Sequence, residues 1–384
     1  STRALSSAAS DVYKRQGLAL GLWSMAAAAS ISFGPLLGGY LVDAYSWHKI
    51  FDVNVPVGVL AVLLAAFVQK EWKNQTRSPF DWQGFAAIVL FMPLAIYALA
   101  RGNSPSNPGG WSAPEVIGCF IVAGAALAWF IVAELRNPAP LLQIRLLAER
   151  NFGISMAVLT LFAIGMLGGT YLLPLYMQRG LGYTALAAGS MFLPVGVIQG
   201  VLSAVSGYLT RYVRPLLLSA AGILIMALSF WLASRFTLHT THGHILFILY
   251  LRGFGMGLTF APLNLFSLKN LTQQDMAAAA GISNSIKQLA GSIGIALLTV
   301  IFSARTSYHA AHETVSAAQT YVEGVTDALR VVAVITLAAL LPLLGVFRKK
   351  RPGKSGVKGA ATPSPGEAVS GKTDKTTIYR TKPE

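Results

Sequence analysis

The amino-acid sequence predicts an all-α, polytopic membrane protein. Hydrophobic residues make up 54% of the 384 positions and charged residues only 12%, and the mean hydropathy is +0.57. A soluble domain typically carries about 25% charged residues. The apolar residues are also gathered in long blocks, and each block is long enough for a helix to cross a hydrocarbon core of about 30 Å.

Ten such blocks follow one another along the chain, near residues 17–41, 53–69, 84–100, 115–134, 152–177, 187–209, 215–234, 245–268, 279–303 and 329–347. A β-barrel would instead need short strands of alternating polarity, a pattern that the sequence lacks. Cys119 is the single cysteine and lies inside the fourth block. The sequence therefore predicts neither a disulfide framework nor a cysteine-based metal site.

The charge distribution predicts the orientation in the membrane. Residues 348–384 contain ten Lys/Arg against three Asp/Glu, beginning with RKKR directly after the last block. A juxtamembrane cluster of this kind faces the cytoplasmic leaflet. We therefore predict a multi-pass protein of the inner (plasma) membrane, surrounded by lipid, with a cytoplasmic C-terminus. The net charge of +15 does not indicate nucleic-acid binding, because no folded basic domain would present it.

Both ends of the chain lack the pattern of the apolar blocks. Residues 1–16, STRALSSAASDVYKRQ, have no periodicity and resemble a translated cloning junction, so we expect a foreign, unstructured leader. Residues 351–384 are rich in Pro, Gly, Ser, Thr and Lys. That composition is too polar to bury a core, so we expect a disordered, basic cytoplasmic tail.

The first block contains the stretch GPLLGGYLVD, in which glycine and proline are dense for a membrane helix. Gly34 and Gly38 are four residues apart and share one helix face, where small residues let a second helix approach. Pro35 removes the hydrogen-bond donor to the carbonyl of Ile31, so we expect a kink there. A kinked helix with a bare face suits a contact that is tight in one state and changes in another. An ordinary packing seam is the alternative.

The residues around this stretch carry a family resemblance. GPLLGGYLVDAYSWHKIFDVNVPVG (34–58) resembles the antiporter motif and following signature of the fourteen-span drug/proton antiporters of the major facilitator superfamily, the EmrB/QacA type. The matching positions are Gly34, Pro35, Gly38 and Gly39 in the motif, and Trp47, Ile50, Phe51, Asn54, Pro56 and Gly58 in an outside turn. The resemblance continues in DWQG (81–84), LRNPAPLLQIRLLAERNF (135–152), YLLPLYMQ (171–178), LRGFGMGLTFAPL (251–263) and SNSIKQLAGSIGIALL (283–298).

The resemblance implies the major facilitator fold and a division of the chain. The antiporter-motif helix is the fifth span of that family, so the chain would correspond to spans five to fourteen, with about ten transmembrane helices present. Residues 17–69 would be the last two spans of the N-terminal bundle, and 70–150 two linker spans with a basic cytoplasmic linker. Residues 151–350 would form the six-span C-terminal bundle.

The loop 207–218 carries the candidate cytoplasmic gate. It keeps Arg211 and Arg214, which the resemblance assigns to that gate. Thr210 stands near the place where the family usually has an acidic partner. The chain therefore departs from the family pattern at this loop.

Polar groups within the predicted spans are candidate substrate contacts, because such groups are costly at membrane depth. The candidates for one shared cavity are Arg252, Asn264, Asn284, Lys287, Gln288 and Gln199. Arg252 is followed by three alternating glycines, which let a helix or a substrate come close; snorkelling to the interface is the alternative. Lys287 shares a helix face with two amide side chains, which favours a cavity lining over snorkelling. For the amides themselves, interhelical hydrogen bonding is the alternative.

No Asp or Glu is predicted in the middle of any span, since Asp43, Asp81, Glu134 and Asp327 fall at block ends or in loops. Proton-coupled export of cations needs a carboxylate within the membrane that exchanges a proton for substrate. In the family that the chain resembles, this acid lies in the first span. We therefore expect the full-length protein to export amphipathic, often cationic, drugs or toxic metabolites, driven by the proton gradient without a cofactor. We also expect residues 17–384 alone not to transport.

The sequence does not predict an enzyme, since no P-loop, Rossmann or nucleophile-elbow pattern stands in a suitable context. The segment HTTHGH (239–244) has near-metal spacing but no nearby cysteine or carboxylate, so no metal site is predicted. A metal-sensing membrane protein that uses this segment is one alternative function. A membrane remnant that does not transport, or that serves as an interaction partner, is another. The resemblance leaves open the substrate and any periplasmic adaptor.

Overall fold

The computed structural model describes residues 33–68, 80–102, 104, 106–107, 109–137, 140–272, 275–312 and 316–347. Within these ranges every regular element is helical, as predicted. Nine of the described helical segments are long and apolar enough to cross a membrane. The described chain is thus a multi-pass, all-α membrane protein. The predicted leader, most of the first block, the basic residues between 69 and 79, and the predicted tail lie outside the described residues.

The first part of the described chain contains five helices. They are α1 (33–44), the short α2 (Lys49–Asp52), α3 (Asn54–Val68), α4 (Trp82–Gly102) and α5 (Pro114–Arg136). α4 and α5 pack against each other, and a 3₁₀ turn at Gly110–Ser112 lies in their connection. A second 3₁₀ turn, Ile144–Ala148, leads from this hairpin to the next part of the chain.

The second part forms one bundle of helices. They are α6 (Arg150–Leu175), α7 (Ala185–Ser190), α8 (Leu193–Leu209), α9 (Pro215–Ala233), α10 (His242–Leu268), α11 (Met276–His312), α12 (Ala317–Ala338) and α13 (Leu341–Phe347). A π-helical turn, Tyr176–Gly180, continues α6. α10 packs against α8 and α9, while α6 packs against α10, α11 and α12. The hydrophobic core of the described chain lies mainly in this bundle.

The central position of α6 follows from its small residues. A Cβ atom added at Gly165, Gly168 or Gly169 would lie within 2.1 Å of a side-chain atom in α12, α11 or α9, respectively. Without water between them, membrane helices associate through such close packing. Three glycines within five positions therefore let one helix contact three neighbours.

The boundaries of the last two long helices correct the sequence prediction. The apolar blocks leave residues 304–328 outside the last two spans, but the described part of this stretch is largely helical: α11 continues to His312 and α12 begins at Ala317. At 37 residues, α11 is about 55 Å long, more than a hydrocarbon core requires. Asp327 consequently lies inside α12 and is 9% exposed, not in a loop. Its charge is matched by cations on α11 and α12, which allows a carboxylate at this position.

Residues predicted to lie on one side of the membrane are brought together. Asp43 contacts the start of α7. Arg150 Nη2 donates to the carbonyl of Gly345 at 3.3 Å, and Asn270 Nδ2 donates to Glu149 Oε1 at 3.2 Å. When successive spans cross the membrane in opposite directions, each of these pairs lies on one side of it.

Candidate functional site

The contact between α1 and α7 joins the two parts of the described chain. A Cβ added at Gly39 would lie 2.3 Å from the carbonyl oxygen of Ala185, and one added at Gly189 would lie 2.1 Å from the carbonyl oxygen of Pro35. No side chain fits at either glycine without a shift of backbone atoms. The two helices therefore touch backbone to backbone.

This contact uses a different face of α1 from the predicted one. Gly34 and Gly38 have no described atom within 4 Å of an added Cβ, whereas Pro35 and Gly39 both meet α7. The members of each pair are four residues apart. The second pair is shifted from the first by one position, which is about 100° around the helix. Spacing alone cannot choose between them. The carbonyl of Ile31, where the kink was expected, lies outside the described residues.

Asp43 stabilises the end of this contact, a role that no sequence pattern predicted. Its Oδ1 accepts from the backbone N–H of Ala185 at 3.2 Å, and its Oδ2 accepts from that of Leu186 at 2.7 Å. Thr184 is the N-cap of α7, and its Oγ1 accepts from the N–H of Ala187 at 3.1 Å. The hydrogen bond from Leu186 is the largest of the interactions that hold the pKa of Asp43 below its usual value.

Arg252 lies inside the second bundle instead of snorkelling to its surface. The residue is 2% exposed, and its Nη2 donates to the carbonyl of Met166 at 2.9 Å and to Thr170 Oγ1. Its Cζ lies 5.6 Å from the ring centroid of Phe230 and 5.9 Å from that of Phe192. Nε and Nη1 have no hydrogen-bond partner among the described residues. A buried guanidinium with two unused donors can bind an anion or a carbonyl that moves into reach.

The three glycines after Arg252 serve helix packing. A Cβ added at Gly253 or Gly257 would lie within 3.0 Å of a backbone oxygen in α8, and one added at Gly255 would lie 2.9 Å from a backbone oxygen in α9. Positions four apart face one helix, and the position between them faces the other. The sequence left open whether a helix or a substrate approaches these glycines. In the structure, neighbouring helices do.

Two further cavity candidates, Gln199 and Asn264, differ in burial and in depth along their helices. Gln199 is buried in α8, with no described hydrogen-bond partner for its Oε1. Asn264 is exposed and lies twelve residues beyond Arg252 on α10, about 18 Å along the axis. A single cavity shared by the six residues therefore stays a prediction.

The other three candidates lie on α11. Asn284 and Gln288 are exposed there, and Lys287 is half-buried. α11 packs against α6 and α12. Gly291 and Gly294, which contact α6, stand seven residues after Asn284 and Lys287 and so share their face of α11, about two turns further along. The face that carries the three polar residues is therefore packed against α6 further along α11, while Asn284 and Gln288 are exposed at their own level.

The predicted signature turn is helical and exposed. Trp47 precedes α2, Phe51 lies within it, and Asn54 and Pro56 open α3. Asn54 Nδ2 donates to the carbonyl of Ile50 at 2.9 Å, and the ring of Trp47 lies against the neighbouring imidazole, with centroids 3.8 Å apart and the planes tilted by 31°. The described contacts of these side chains are thus with one another.

The candidate cytoplasmic gate is an exposed turn between α8 and α9. Arg211 and Arg214 are both exposed, and neither forms an ion pair within the described ranges. Arg211 Cζ lies 5.3 Å from the ring centroid of Tyr208. Thr210 Oγ1 donates to the carbonyl of Gly207 at 2.6 Å. The threonine therefore completes the turn locally and does not replace the acidic partner.

Two buried carboxylates, which the prediction left at block ends, meet beside Gly84, where the start of α4 lies against the end of α5. Asp81 Oδ1 accepts from the N–H of Gly84 at 3.0 Å, and Glu134 Oε2 accepts from the N–H of Leu142 at 3.0 Å. A Cβ added at Gly84 would lie within 2.7 Å of both carboxyl groups. The backbone hydrogen bond from Gly84 is the largest of the interactions that keep the pKa of Asp81 below its usual value. The glycine of DWQG thus makes room for two acids.

The histidines of residues 239–244 are not arranged as a metal site. The ring of His242 stacks on Tyr183 with centroids 6.2 Å apart, and the ring of His244 meets the edge of Phe236 at 5.9 Å. Among the described residues, no group of three or more His, Cys, Asp or Glu side chains could hold a metal ion. The metal-sensing alternative therefore gains no support from this segment.

The family assignment follows from a sequence match. Residues 2–295 match the family model described as Major Facilitator Superfamily. The chain belongs to this superfamily. Its members include curated relatives of the type that the motifs indicated, so the predicted resemblance to EmrB-type multidrug transporters is confirmed.

Three superfamily relatives illustrate the similarity. Multidrug export protein EmrB of Escherichia coli (strain K12) is 33% identical over 304 residues, which are 79% of this chain and 59% of that protein. Uncharacterized MFS-type transporter YhcA of Bacillus subtilis (strain 168) is 29% identical over 77% of this chain and 54% of its own length. Fatty acid resistance protein FarB of Neisseria gonorrhoeae is 29% identical over 76% of this chain and 57% of its own length. The chain thus spans little more than half the length of these relatives.

Proposed function

We propose that the protein containing this chain is a proton-coupled exporter of amphipathic, often cationic, drugs or toxic metabolites in the inner membrane. Membership of the superfamily and the similarity to proteins named for multidrug export and fatty acid resistance support this proposal. The proton gradient would supply the energy, and no cofactor enters the scheme. Residues 33–68 would close the N-terminal bundle, the α4–α5 hairpin would be the linker, and α6–α13 would form the C-terminal bundle.

The contact between α1 and α7 is the observation that carries the proposal. Export requires two bundles that move against each other about a central cavity. Gly39 and Gly189 give the two helices smooth backbone surfaces, and Asp43 closes the contact with hydrogen bonds that solvent can replace. A joint of this kind can separate and re-form without repacking of large side chains.

The polar face of α11 supports a cavity beside this joint. Gln288 is the thirteenth residue of α11 and lies about 18 Å from its start, a depth near the middle of a hydrocarbon core. Polar side chains at that depth face a bundle interior or a water-filled cavity, because lipid cannot satisfy them. Asn284 and Gln288 are exposed in the described chain, so we assign them to the substrate cavity together with Lys287. Arg211 and Arg214 would guard its cytoplasmic end.

The test measures efflux of a fluorescent cationic dye from a bacterium that lacks its own exporters. The open reading frame at the genomic locus of this chain is expressed as wild type, Gly39→Ala and Gly38→Ala. We expect wild-type efflux to stop when an uncoupler collapses the proton gradient. Gly39→Ala should lose most of the activity, because the added methyl meets the Ala185 carbonyl, whereas Gly38→Ala should retain it, because its methyl meets open space.

Two results would contradict the proposal. One is wild-type efflux that continues at the same rate without a proton gradient. The other is no efflux of cationic, neutral or anionic dyes, although the protein is present in the membrane; this result favours the alternative of a membrane protein that does not transport. Equal losses of efflux in the two glycine variants would show that the α1–α7 contact has no specific part in the mechanism. They would not contradict transport itself.

A further inference from the structure

A charged cluster joins α11 to α12 close to the turn between them. We call it the α11–α12 clamp; it consists of Arg305 and His309 on α11 and of Glu323, Asp327 and Arg330 on α12. Asp327 Oδ2 accepts from Arg305 Nε at 2.7 Å and lies 3.0 Å from His309 Nε2, while Asp327 Oδ1 accepts from Arg330 Nη1 at 2.7 Å. The family resemblance assigned no role to any of these residues.

The two helices approach each other closely at this level. A Cβ added at Gly324 would lie 2.0 Å from Thr306 Oγ1. The side chains of His309 and Asp327 are only 12% and 11% exposed, so solvent has little access to the contact between them. Interactions among these groups are therefore screened less than those of surface charges.

His309 lies between two carboxylates. Its Nε2 is 3.0 Å from Asp327 Oδ2, and its Nδ1 is 3.5 Å from Glu323 Oε2. Glu323 Oε2 is buried and has no hydrogen-bond partner in the described part of the chain. A neutral imidazole has one N–H and would turn a nitrogen lone pair toward one of the two carboxylates. Only the doubly protonated ring presents an N–H to both.

We propose that His309 is a proton-binding site, and that the bound proton fastens α11 to α12 through Glu323 and Asp327. Loss of this proton leaves one carboxylate facing a lone pair and loosens the clamp. The two arginines remain charged throughout the physiological range, so they keep Asp327 ionised but cannot themselves respond to pH. No group of three or more His, Cys, Asp or Glu side chains among the described residues could hold a metal ion, so the ligand that we propose for this cluster is a proton.

Among the described residues, the helices that form the clamp and a neighbouring turn carry further charged and titratable groups. From α11, α12 and the π-helical turn packed against α12, these groups are Arg305, Tyr308, His312, Arg330, Tyr321 and Arg179. Arg305 and Arg330 have side chains that are 46% and 56% exposed, so water screens their repulsion of an imidazolium. The side chains of Asp327 and Glu323 are better buried than those of the two arginines, at 11% and 29% exposed.

The site would respond to pH on one side of the membrane. The charge distribution of the sequence predicts that the turn between α11 and α12 faces the outside, where a proton-driven exporter takes up its protons. Acid outside would then fasten the ends of α11 and α12 together. The proposal depends on the geometry of the clamp and does not require that the protein transports.

The experiment compares thermal unfolding of the purified chain in detergent between pH 5.5 and 8.5, for wild type and His309→Gln. If the folded chain holds the proton more tightly than the unfolded chain, the stability from His309 is full at acid pH and is lost as the pH rises. We expect the advantage of wild type over His309→Gln to shrink by about 2–4 °C in Tm across this range. His309→Lys, which keeps its charge, should retain its Tm at pH 8.5.

His312→Gln is the matched control, because His312 lies one turn further along α11 and its Nδ1 contacts only the backbone carbonyl of Tyr308. This variant should follow the wild-type curve. Glu323→Gln covers the case in which His309→Gln does not fold: it keeps the ring, removes one of its carboxylates and should weaken the pH dependence. The proposal fails if His309→Gln and His312→Gln have the same pH dependence, or if Glu323→Gln leaves that of wild type unchanged.

Discussion

α3 and α6 are similarly apolar, yet they have opposite surroundings. Both belong to segments of membrane-spanning length and composition. No residue of α3 is buried in the described chain, whereas half of the residues of α6 are. Apolar composition thus places a helix in the membrane, but it does not decide which helices pack against it.

Small residues account for much of this difference. α6 carries four glycines, and a Cβ added at any of them would overlap a neighbouring group. α3 carries only Gly58, and an added Cβ there would meet nothing within 4 Å. Because lipid solvates apolar side chains as well as another helix does, close backbone approach is what favours helix association. The second bundle is therefore expected to be the stable unit of the described chain, with α1 as its movable neighbour.

The largest expected effect comes from adding a methyl group inside the packed bundle. A Cβ at Gly294 would lie 2.7 Å from the carbonyl oxygen and 2.8 Å from the Cα of Ile164, and these backbone atoms cannot rotate away. We expect Gly294→Ala to lower the free energy of unfolding by about 1–3 kcal/mol, the typical cost of overpacking. Denaturant titration in detergent, followed by tryptophan fluorescence, measures it.

Gly281→Ala is the control on the same helix, since an added Cβ at Gly281 meets open space. Because alanine is the better helix former, this variant should equal wild type or exceed it by up to about 1 kcal/mol. Equal losses in both variants would mean that small residues do not distinguish the packed bundle from the exposed helices.

The sequence was sufficient to predict the helices but not the contacts between them. Composition and block length predicted the class and the individual spans, because both depend on local properties of the chain. The pairs that hold the structure together join distant positions, such as Asp43 with Leu186 and Arg305 with Asp327. No periodicity links such pairs, so neither contact could be predicted from one sequence.

The candidate site shows the same limit. Glycine spacing predicted that α1 has a packing face, but two faces satisfied that spacing, and the structure uses the one with Pro35 and Gly39. The prediction that acids lie at block ends or in loops was wrong for Asp327. An apolar block ends where charged residues begin, so the part of the helix that carries Asp327 was left outside the last block. The cations that match its charge come from another helix and from one turn further along its own.

A smaller effect is expected at Arg252, the least satisfied group in the packed bundle. Its Nε and Nη1 lack described partners, so the fold carries a buried charge that is only partly compensated. Replacing such a charge by an apolar side chain of similar size is often neutral or stabilising. We expect Arg252→Met to raise the stability by about 1 kcal/mol and to lower dye efflux by the full-length protein. Unfolding and efflux are measured on the same variant.

Arg235→Met is the control for Arg252, because Arg235 is exposed just beyond the end of α9. Losing that cation should change neither the stability nor the dye efflux appreciably. If Arg252→Met instead destabilises the chain, the guanidinium is well compensated in the fold and packs there as a structural group. Unchanged efflux would exclude Arg252 from the transport path.

The smallest expected effect tests the joint between the two regions. The lowered pKa of Asp43 means that its carboxylate supports the α1–α7 contact at pH values above the ordinary carboxyl range. That support is lost as the pH falls through the lowered pKa, because protonation removes the charge that accepts the N–H groups. Asp43→Asn should remove this dependence. Amide exchange at Ala185 and Leu186, corrected for the intrinsic effect of pH, measures the strength of the contact.

Exchange at these two amides should be faster in Asp43→Asn than in wild type at neutral pH, and the two should converge in acid. Asp275→Asn, a carboxylate change just before α11, is the control and should leave both amides as protected as in wild type. Because Asp43 is exposed, the difference at neutral pH should be modest, as is usual for interactions at a solvated surface. If protection at Leu186 is equally strong with and without the carboxylate, backbone packing at Gly39 alone holds α1 in place, and the joint between the regions has no electrostatic component.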